Sequence, residues 1–116
     1  MNANTNARSG ALSKSAYFLL RLNPPRPTFP ADMSPLEDKA MQEHSAYWAE
    51  LSREGTAVVY GPVIDPEGSW GLALVRVSDE SASRALAILD PVIVADLGFH
   101  YDVLPMARAF VTGASS

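Results

Sequence analysis

Residues 56–77, TAVVYGPVIDPEGSWGLALVRV, decide the fold because they contain two apolar runs joined by one tight turn. Residues 56–60 and 70–77 have the β-branched and apolar composition of strands. The joining tetrapeptide Asp65-Pro66-Glu67-Gly68 places Asp first, Pro second and Gly fourth, as in a type I turn. These residues are therefore predicted to form an antiparallel hairpin, interrupted or bulged at Gly61-Pro62.

A helix is predicted on each side of the hairpin. The first begins at Ser34, a suitable N-cap that Glu37 completes as a capping box, and ends at Gly55. The second begins near Asp79 and stops at Asp90-Pro91, because a residue before proline disfavours the α conformation. Both helices carry apolar residues at helical spacing, which predicts their buried faces: Leu36, Ala40, Tyr47, Trp48 and Leu51 in the first, and Ala82, Ala85, Leu86 and Leu89 in the second.

Two further strands, at residues 17–22 and 99–104, complete the order β-α-β-β-α-β. This order predicts an α+β, ferredoxin-like sandwich with a four-stranded antiparallel sheet and its helices on one face. In the usual strand order 4-1-3-2 the second and fourth strands are the edges. Those are the strands that contain Pro62 and Pro105, and edge strands tolerate proline.

Both faces of the sheet are predicted to be apolar. Phe18, Leu20 and Leu22 alternate with Tyr17 and Leu19, and the third strand alternates in the same way. Two helices can cover only one face, whereas the free face of an open antiparallel sheet is normally polar. We therefore expect a homodimer in which the sheet of a second copy covers the free face.

The overall composition bounds the possible functions. The 116 residues suit one domain, residues 15–111, between a polar tail at 1–14 predicted to be disordered and a loose tail at 112–116. The net charge is −4 and the nine Lys and Arg residues are scattered, which argues against a nucleic-acid partner. The absence of cysteine excludes disulfides and thiolate chemistry, and two histidines make a metal site unexpected. Without an apolar signal segment or membrane span, we expect a cytoplasmic protein with no membrane partner.

His44 is the residue that does not fit its own helix. It lies on the line from Ala40 to Trp48, so its imidazole points with the apolar side chains. Asp90 is expected at a helix C-terminus, where the helix dipole disfavours a negative charge by up to ~1 kcal/mol, and His44 is its natural partner. A His–Asp dyad would orient the imidazole for general acid/base catalysis, with Ser69 as a hydrogen-bond donor to the substrate. The alternative is a hydrogen-bonded core histidine and two turn residues.

Four further side chains and one glycine are candidate substrate-binding residues: Trp48, Tyr47, Phe29, Arg21 and Gly61. The proline-rich residues 23–30 predict an extended, polyproline-like connector that either crosses the surface or roofs a pocket with Phe29 or Arg26. Arg21 and Arg76, on neighbouring strands, either clamp an anion or are solvated. For Trp48 and Tyr47 the alternative to a ligand platform is a core position, which their place on the apolar face of the helix favours.

The ordered set His44-x-x-Tyr47/Trp48-x-x-Leu51-x-x-x-Gly55, Gly61-Pro62, Gly68-Ser69, Asp90-Pro91 and Val103-x-Pro105 resembles the YciI-like (YCII-related) family. The resemblance runs from about Ala16 to Val111 and implies a dimeric α+β barrel. It places a His–Asp dyad with a nearby Ser on His44, Asp90 and Ser69, and it implies cofactor-free acid/base chemistry on a small molecule. One branch of the family looks like dehydrochlorinases of hydroxylated aromatics. The proline-rich insertion 23–33 departs from the short family members.

Three functions remain open from the sequence. The first is an acid/base enzyme, of lyase or isomerase type, that acts on an aromatic or enol-like molecule through His44. The second is a non-catalytic small-molecule binder with the same pocket. The third is a haem- or flavin-associated barrel in which His44 is a ligand.

Overall fold

A four-stranded antiparallel sheet forms the centre of the computed structural model, which describes residues 15–113. Its strands are β1 (Ala16–Asn23), β2 (Ala57–Val63), β3 (Trp70–Val77) and β4 (His100–Pro105), in the order β2-β3-β1-β4. Three helices accompany them: α1 (Pro35–Arg53), α2 (Glu80–Leu89) and the single turn α3 (Pro91–Val94). The α+β, ferredoxin-like prediction is confirmed, with β2 and β4 as the two edges. The predicted tail at 1–14, and residues 114–116 of the predicted tail at 112–116, lie outside the described residues.

The local signals of the sequence act as predicted. Ser34 and Glu37 form the capping box of α1, and Gly55 follows its end with a φ of 84°. The hairpin turn is closed by the Gly68 amide, which donates to the Asp65 carbonyl at 2.9 Å. The irregularity of β2 was placed wrongly, however, because its register shifts between Ala57 and Val59 while pairing continues through Pro62. An edge strand can include a proline without losing its single partner strand.

The helix-side core also matches the alternation of the strands. Phe18, Leu20 and Leu22 are buried on the face that carries the helices, opposite Val75, Ala73 and Gly71 of β3. The other face carries Leu19, Leu72 and Leu74, which are half-buried, with Val59 and Leu104 exposed at its two edges. This second surface is called the free face below.

Three predicted core positions are wrong. Leu36 is 68% exposed, Leu89 is 62% exposed, and Ala85 is also exposed. In α1 the buried line starts one residue later, at Glu37, and continues through Ala40 to Trp48. In α2 the small residues Ser83 and Ala87 face the core, which leaves the leucine at the helix end on the outer side.

The proline-rich connector is wound into turns rather than extended. The amides of Phe29, Ala31 and Met33 each donate to a carbonyl three residues earlier, at 2.9–3.2 Å. The physical reason is a pair of side-chain contacts, since Arg26 bonds both Asp32 within the connector and Glu37 in the first turn of α1. These contacts fold residues 24–33, called the roof loop below, back onto the helix. Phe29 is thereby buried in a cluster with Leu22, Ala40, Val92 and Phe99.

Candidate functional site

Asp90 is a fully buried carboxylate that ends α2 and caps α3. Its Oδ1 accepts the backbone N–H of Val92 at 3.0 Å. Its Oδ2 accepts the indole N–H of Trp48 at 2.9 Å and the hydroxyl of Tyr101 at 2.5 Å, and it lies 2.8 Å from Nδ1 of His44. A buried carboxylate is stable only when such donors replace its lost water, and here four donors surround it.

The four donors keep this carboxylate ionised. Burial acts to raise the pKa of Asp90, but the hydrogen bond and charge of His44, with the hydrogen bonds from Tyr101 and Val92, outweigh it and hold that pKa below its usual range. Burial and the nearby Asp90 charge raise the pKa of Tyr101 well above its usual range, so its hydroxyl remains a donor. An ionised carboxylate can only accept hydrogen bonds, so Nδ1 of His44 carries a hydrogen in the imidazolium and in the neutral ring alike.

The chain positions this group by simple local rules. His44 and Trp48 are four residues apart on α1, so their side chains lie one above the other on the same face. Pro91 at the first position of α3 sets Asp90 in an extended conformation, with φ −61° and ψ 128°, and its carboxylate turns toward α1. His44, the partner for Asp90 that the helix dipole argument suggested, lies in contact with it, and Asp90 also gains a favourable place as the N-cap of α3.

A cavity of about 340 Å³ lies next to this group, between α1, the roof loop and the β2–β3 hairpin. Most of its wall is apolar, with aromatic and methionine side chains such as Phe29, Met33, Met41 and Trp48. The polar side chains in the wall are few, which is typical of small-molecule sites.

The imidazole of His44 connects the buried carboxylate to this cavity. Its side chain is 16% exposed and lines the cavity wall, while Nδ1 faces Asp90. Among residues 15–113 no group forms a hydrogen bond with Nε2. In the neutral ring this nitrogen carries the lone pair, so the cavity is provided with one unused basic atom.

The cavity brings together five of the eight residues singled out from the sequence. His44, Ser69, Trp48, Phe29 and Gly61 line it. A sixth residue, Asp90, lies directly behind His44. The remaining two, Tyr47 and Arg21, lie elsewhere in the fold.

Tyr47 and Arg21 have structural surroundings of their own. The Tyr47 hydroxyl donates to the Leu86 carbonyl at 2.6 Å, and burial raises the pKa of Tyr47 to about 12. Arg21 belongs to the free face, where its guanidinium lies 4.5 Å from the centre of the Trp70 ring. The anion clamp with Arg76 does not form, because the two arginines lie four register pairs apart on β1 and β3, about 13 Å along the sheet.

Tyr101 and Gly71 are the site residues that sequence reasoning missed. The alternation of β4 was visible, since His100 and Asp102 share one face and Tyr101 must therefore face the helices. Gly71 faces the same side, and a Cβ there would lie 3.3 Å from the Cβ of Leu22. Its missing side chain leaves room for the cavity.

Within the described part of the chain, no group of three or more His, Cys, Asp or Glu side chains is placed to hold a metal ion. No helix among residues 15–113 is long and apolar enough to cross a membrane.

Comparison with known proteins bears on the family of this chain. No curated protein matches the chain. One solved structure that the chain matches is the uncharacterized protein TM1266 from Thermotoga maritima, with 11% sequence identity and a TM-score of 0.48; the alignment covers 79% of this chain and 98% of that chain. Residues 18–107 match the YCII-related domain. Because this match spans most of the chain, including all of the residues that surround the cavity, the protein belongs to the YCII-related family.

Proposed function

We propose that the protein catalyses cofactor-free proton transfer on a small, mainly apolar molecule, with His44 as general base and general acid. The observation that carries this proposal is the position of one imidazole, with Nδ1 held by a buried carboxylate and Nε2 directed to an apolar cavity. Most buried side-chain polar atoms have a hydrogen-bond partner, whereas Nε2 of His44 has none among residues 15–113.

In the proposed reaction Nε2 of His44 removes a proton from an acidic C–H or O–H bond of the substrate. The Asp90 carboxylate keeps the hydrogen on Nδ1 and stabilises the imidazolium that forms. In an isomerisation the same nitrogen returns the proton to another substrate atom. In an elimination of HX the electron pair forms a double bond, X leaves as an anion, and Nε2 passes its proton to water.

Ser69 is proposed as the group that stabilises developing charge on the substrate. It lines the cavity with His44, and its hydroxyl has no hydrogen-bond partner among the described residues. A free hydroxyl in an apolar wall can donate to an enolate or phenolate oxygen, where one such donor contributes several kcal/mol at most. The volume of about 340 Å³ suits a molecule of one or two rings.

Hydrogen–deuterium exchange on a panel of compounds tests the proposal for a whole class of substrates at once. Enolisable cyclic ketones and hydroxylated, chlorinated aromatics are incubated with the protein in D₂O and followed by proton NMR, with chloride release measured in parallel. We expect at least one compound to exchange or lose chloride in the wild type. General acid/base catalysis contributes ~10²–10⁴-fold, so His44→Gln should lose at least ~100-fold.

The matched control is His100→Gln, which changes the other histidine on the exposed side of β4 and should leave the rate unchanged. Equal rates in the wild type and His44→Gln would refute the catalytic role. Saturable binding without exchange anywhere in the panel would instead support a non-catalytic binding protein.

We also propose that the protein is a homodimer that packs its free face against the same face of a second copy. The support is the apolar character of that face, where Leu19, Leu72 and Leu74 lie between the exposed Val59 and Leu104. Light scattering at low micromolar concentration should give twice the chain mass of 12.5 kDa. Leu74→Asp should give monomers, and a monomeric wild type would refute the proposal.

A further inference from the structure

We propose that Gly71 determines the size of the ligand, because a ring of the ligand rests on the bare backbone of β3 at this residue. The ligand class is an uncharged compound of one or two rings. The inference deepens the proposed function and rests on it in one respect, since it takes the cavity beside His44 as the place where the substrate binds.

The backbone at position 71 is that of a regular inner strand. Gly71 pairs with Leu22 of β1 on one side and with Pro62 of β2 on the other, and neither register shifts at this point. Gly55 and Gly68 have positive φ values of 84° and 126°, whereas Gly71 does not have a positive φ. A glycine inside a regular strand weakens it, and it often marks a place where a ligand or another part of the chain approaches closely.

Two neighbours approach Gly71 from the helix side of the sheet, the side away from the free face. One is Leu22, whose Cβ would lie 3.3 Å from a Cβ at position 71. The other is the cavity, which Gly71 lines together with Ser69 and Ala73. Alternate residues of a strand face the same side, and these three are all small. The cavity therefore reaches the backbone of the sheet at Gly71.

The cavity wall is stiff at Gly71 and adaptable where α1 and the roof loop form it. β3 is an inner strand that pairs with both β1 and β2. The walls from α1 and the roof loop include Met41 and Met33, and methionine side chains adapt readily to different shapes. A larger ligand can displace a methionine side chain but not the paired backbone of β3. Its size is therefore limited at Gly71.

The composition of the wall favours an uncharged ligand. Among residues 15–113, no Asp, Glu, Lys or Arg side chain lines the cavity. The carboxylate of Asp90 lies behind His44 and is held ionised by its donors. While His44 is neutral, an anionic ligand would lose its water in this cavity without gaining a cation. A ring with a hydroxyl or carbonyl group loses much less.

Phenol and 2-naphthol are a matched pair of probes, because each carries one hydroxyl and the second has one more fused ring. Their dissociation constants are measured by NMR titration and calorimetry on the wild type, Gly71→Ala and Val77→Ile. One methylene in a hydrophobic pocket changes discrimination by ~10-fold or more, so Gly71→Ala should lower the preference for 2-naphthol over phenol at least ~10-fold. Val77→Ile adds a methyl group to the same strand outside the cavity wall and should leave the preference unchanged.

The same measurements decide whether the ligand or Leu22 is the reason for the glycine. If Gly71 only makes room for Leu22, Gly71→Ala should lower the Tm and weaken the binding of both probes equally, which would overturn the inference. A second measurement needs no variant: ring protons of 2-naphthol bound to the wild type should give nuclear Overhauser effects to the Hα protons of Gly71. Their absence, or binding of neither probe at millimolar concentration, would also overturn it.

His44→Gln separates this inference from the proposed catalysis. The variant should abolish proton transfer and keep the preference for 2-naphthol, because the imidazole is not part of the wall that limits the size of the ligand. Either proposal can therefore fail without the other.

Discussion

The protein buries two carboxylates, and their surroundings differ in one respect that matters for function. Glu37, at the start of α1, is bonded by both Nη atoms of Arg26 at 2.7 and 2.8 Å and by the Ser34 amide at 2.9 Å. Asp90, at the α2–α3 junction, is bonded by one backbone amide and three side chains that include His44. Both groups are satisfied, and both have a lowered pKa.

The difference lies in whether the partner side chain has a polar atom that the protein does not use. The guanidinium of Arg26 is shared between Glu37 and Asp32, so the contact holds the roof loop on α1 and has no further chemistry. The imidazole of His44 uses only one of its two nitrogens on Asp90 and presents the other to the cavity. A lowered carboxylate pKa alone therefore does not distinguish a structural ion pair from a candidate catalytic pair. The two pairs are distinguished by whether the partner side chain has an unused polar atom.

Truncation of the more deeply buried carboxylate should have the largest effect on stability. Asp90→Ala leaves the buried donors of Tyr101 and Val92 without an acceptor, and each such group costs about 1–3 kcal/mol. The indole N–H of Trp48 loses its bond to Asp90 and keeps only the longer one to the Tyr101 hydroxyl, at 3.2 Å. We expect the free energy of unfolding to fall by about 3 kcal/mol or more in urea denaturation. Asp79→Ala removes the N-cap of α2 without burying any donor and should cost only about 1 kcal/mol. Equal losses for the two variants would contradict the role given to the buried donors.

Glu37 should have its main effect on how the free energy of unfolding changes with pH in the acid range. Hydrogen bonding to Arg26 lowers the pKa of Glu37 from 4.5 to about 2. Its contribution to stability is therefore fully present above pH 4.5 and is lost as the pH falls toward 2. Glu37→Gln keeps the shape and the capping contact to Ser34 but cannot ionise.

Thermal unfolding between pH 7 and pH 2 should show this contribution as a steeper fall of Tm in the wild type than in Glu37→Gln. Asp90 is the same in both proteins, so the difference between them reports on Glu37. Glu43→Gln, an exposed change on the same helix, is the matched control. Parallel curves of Tm against pH for the wild type and Glu37→Gln would show that the Arg26–Glu37 ion pair does not stabilise the protein.

The smallest expected signal is the most specific to His44. At a pH where both imidazoles are neutral, long-range proton–nitrogen NMR should place the hydrogen of His44 on Nδ1, because Asp90 accepts it there. Exposed His100 serves as an internal control and should show the Nε2–H preference of free imidazole. Asp90→Asn should shift His44 toward the state of His100. If both histidines had the same tautomer in the wild type, Asp90 would not be orienting His44. The functional distinction between Asp90 and Glu37 would then be wrong.

Much of the fold was predictable because the deciding signals are local. The hairpin turn at Asp65-Pro66-Glu67-Gly68, the capping box at Ser34 and the stop at Asp90-Pro91 each depend on a few adjacent residues. The strand order followed from the β-α-β-β-α-β order of the elements, and the two prolines in its edge strands, Pro62 and Pro105, agreed with it. The roof loop was not predictable, since its turns depend on contacts from Arg26 to a residue six positions later and to the next helix.

The candidate site was likewise predictable only in part. His44 was visible as an anomaly in its helix, and Asp90 as a carboxylate that needed a partner. Tyr101 was not found because its hydroxyl reaches Asp90 only once β4 is paired beside β1, a strand far from it in the sequence. The indole N–H of Trp48 was likewise hidden, since its ring fitted a core position equally well.

The position of Asp90 at the end of α2 has a consequence for how this chain can change in length. Ser83 and Ala87 face the core on the same side of the helix axis that delivers Asp90 to Trp48. Each residue added to a helix rotates all later residues by about 100° and advances them by about 1.5 Å. A single insertion between Ser83 and Asp90 would therefore swing the carboxylate away from α1, whereas the turn at 65–68 lies outside that constraint. Homologous sequences should show gaps in the hairpin turn and none between Ser83 and Asp90.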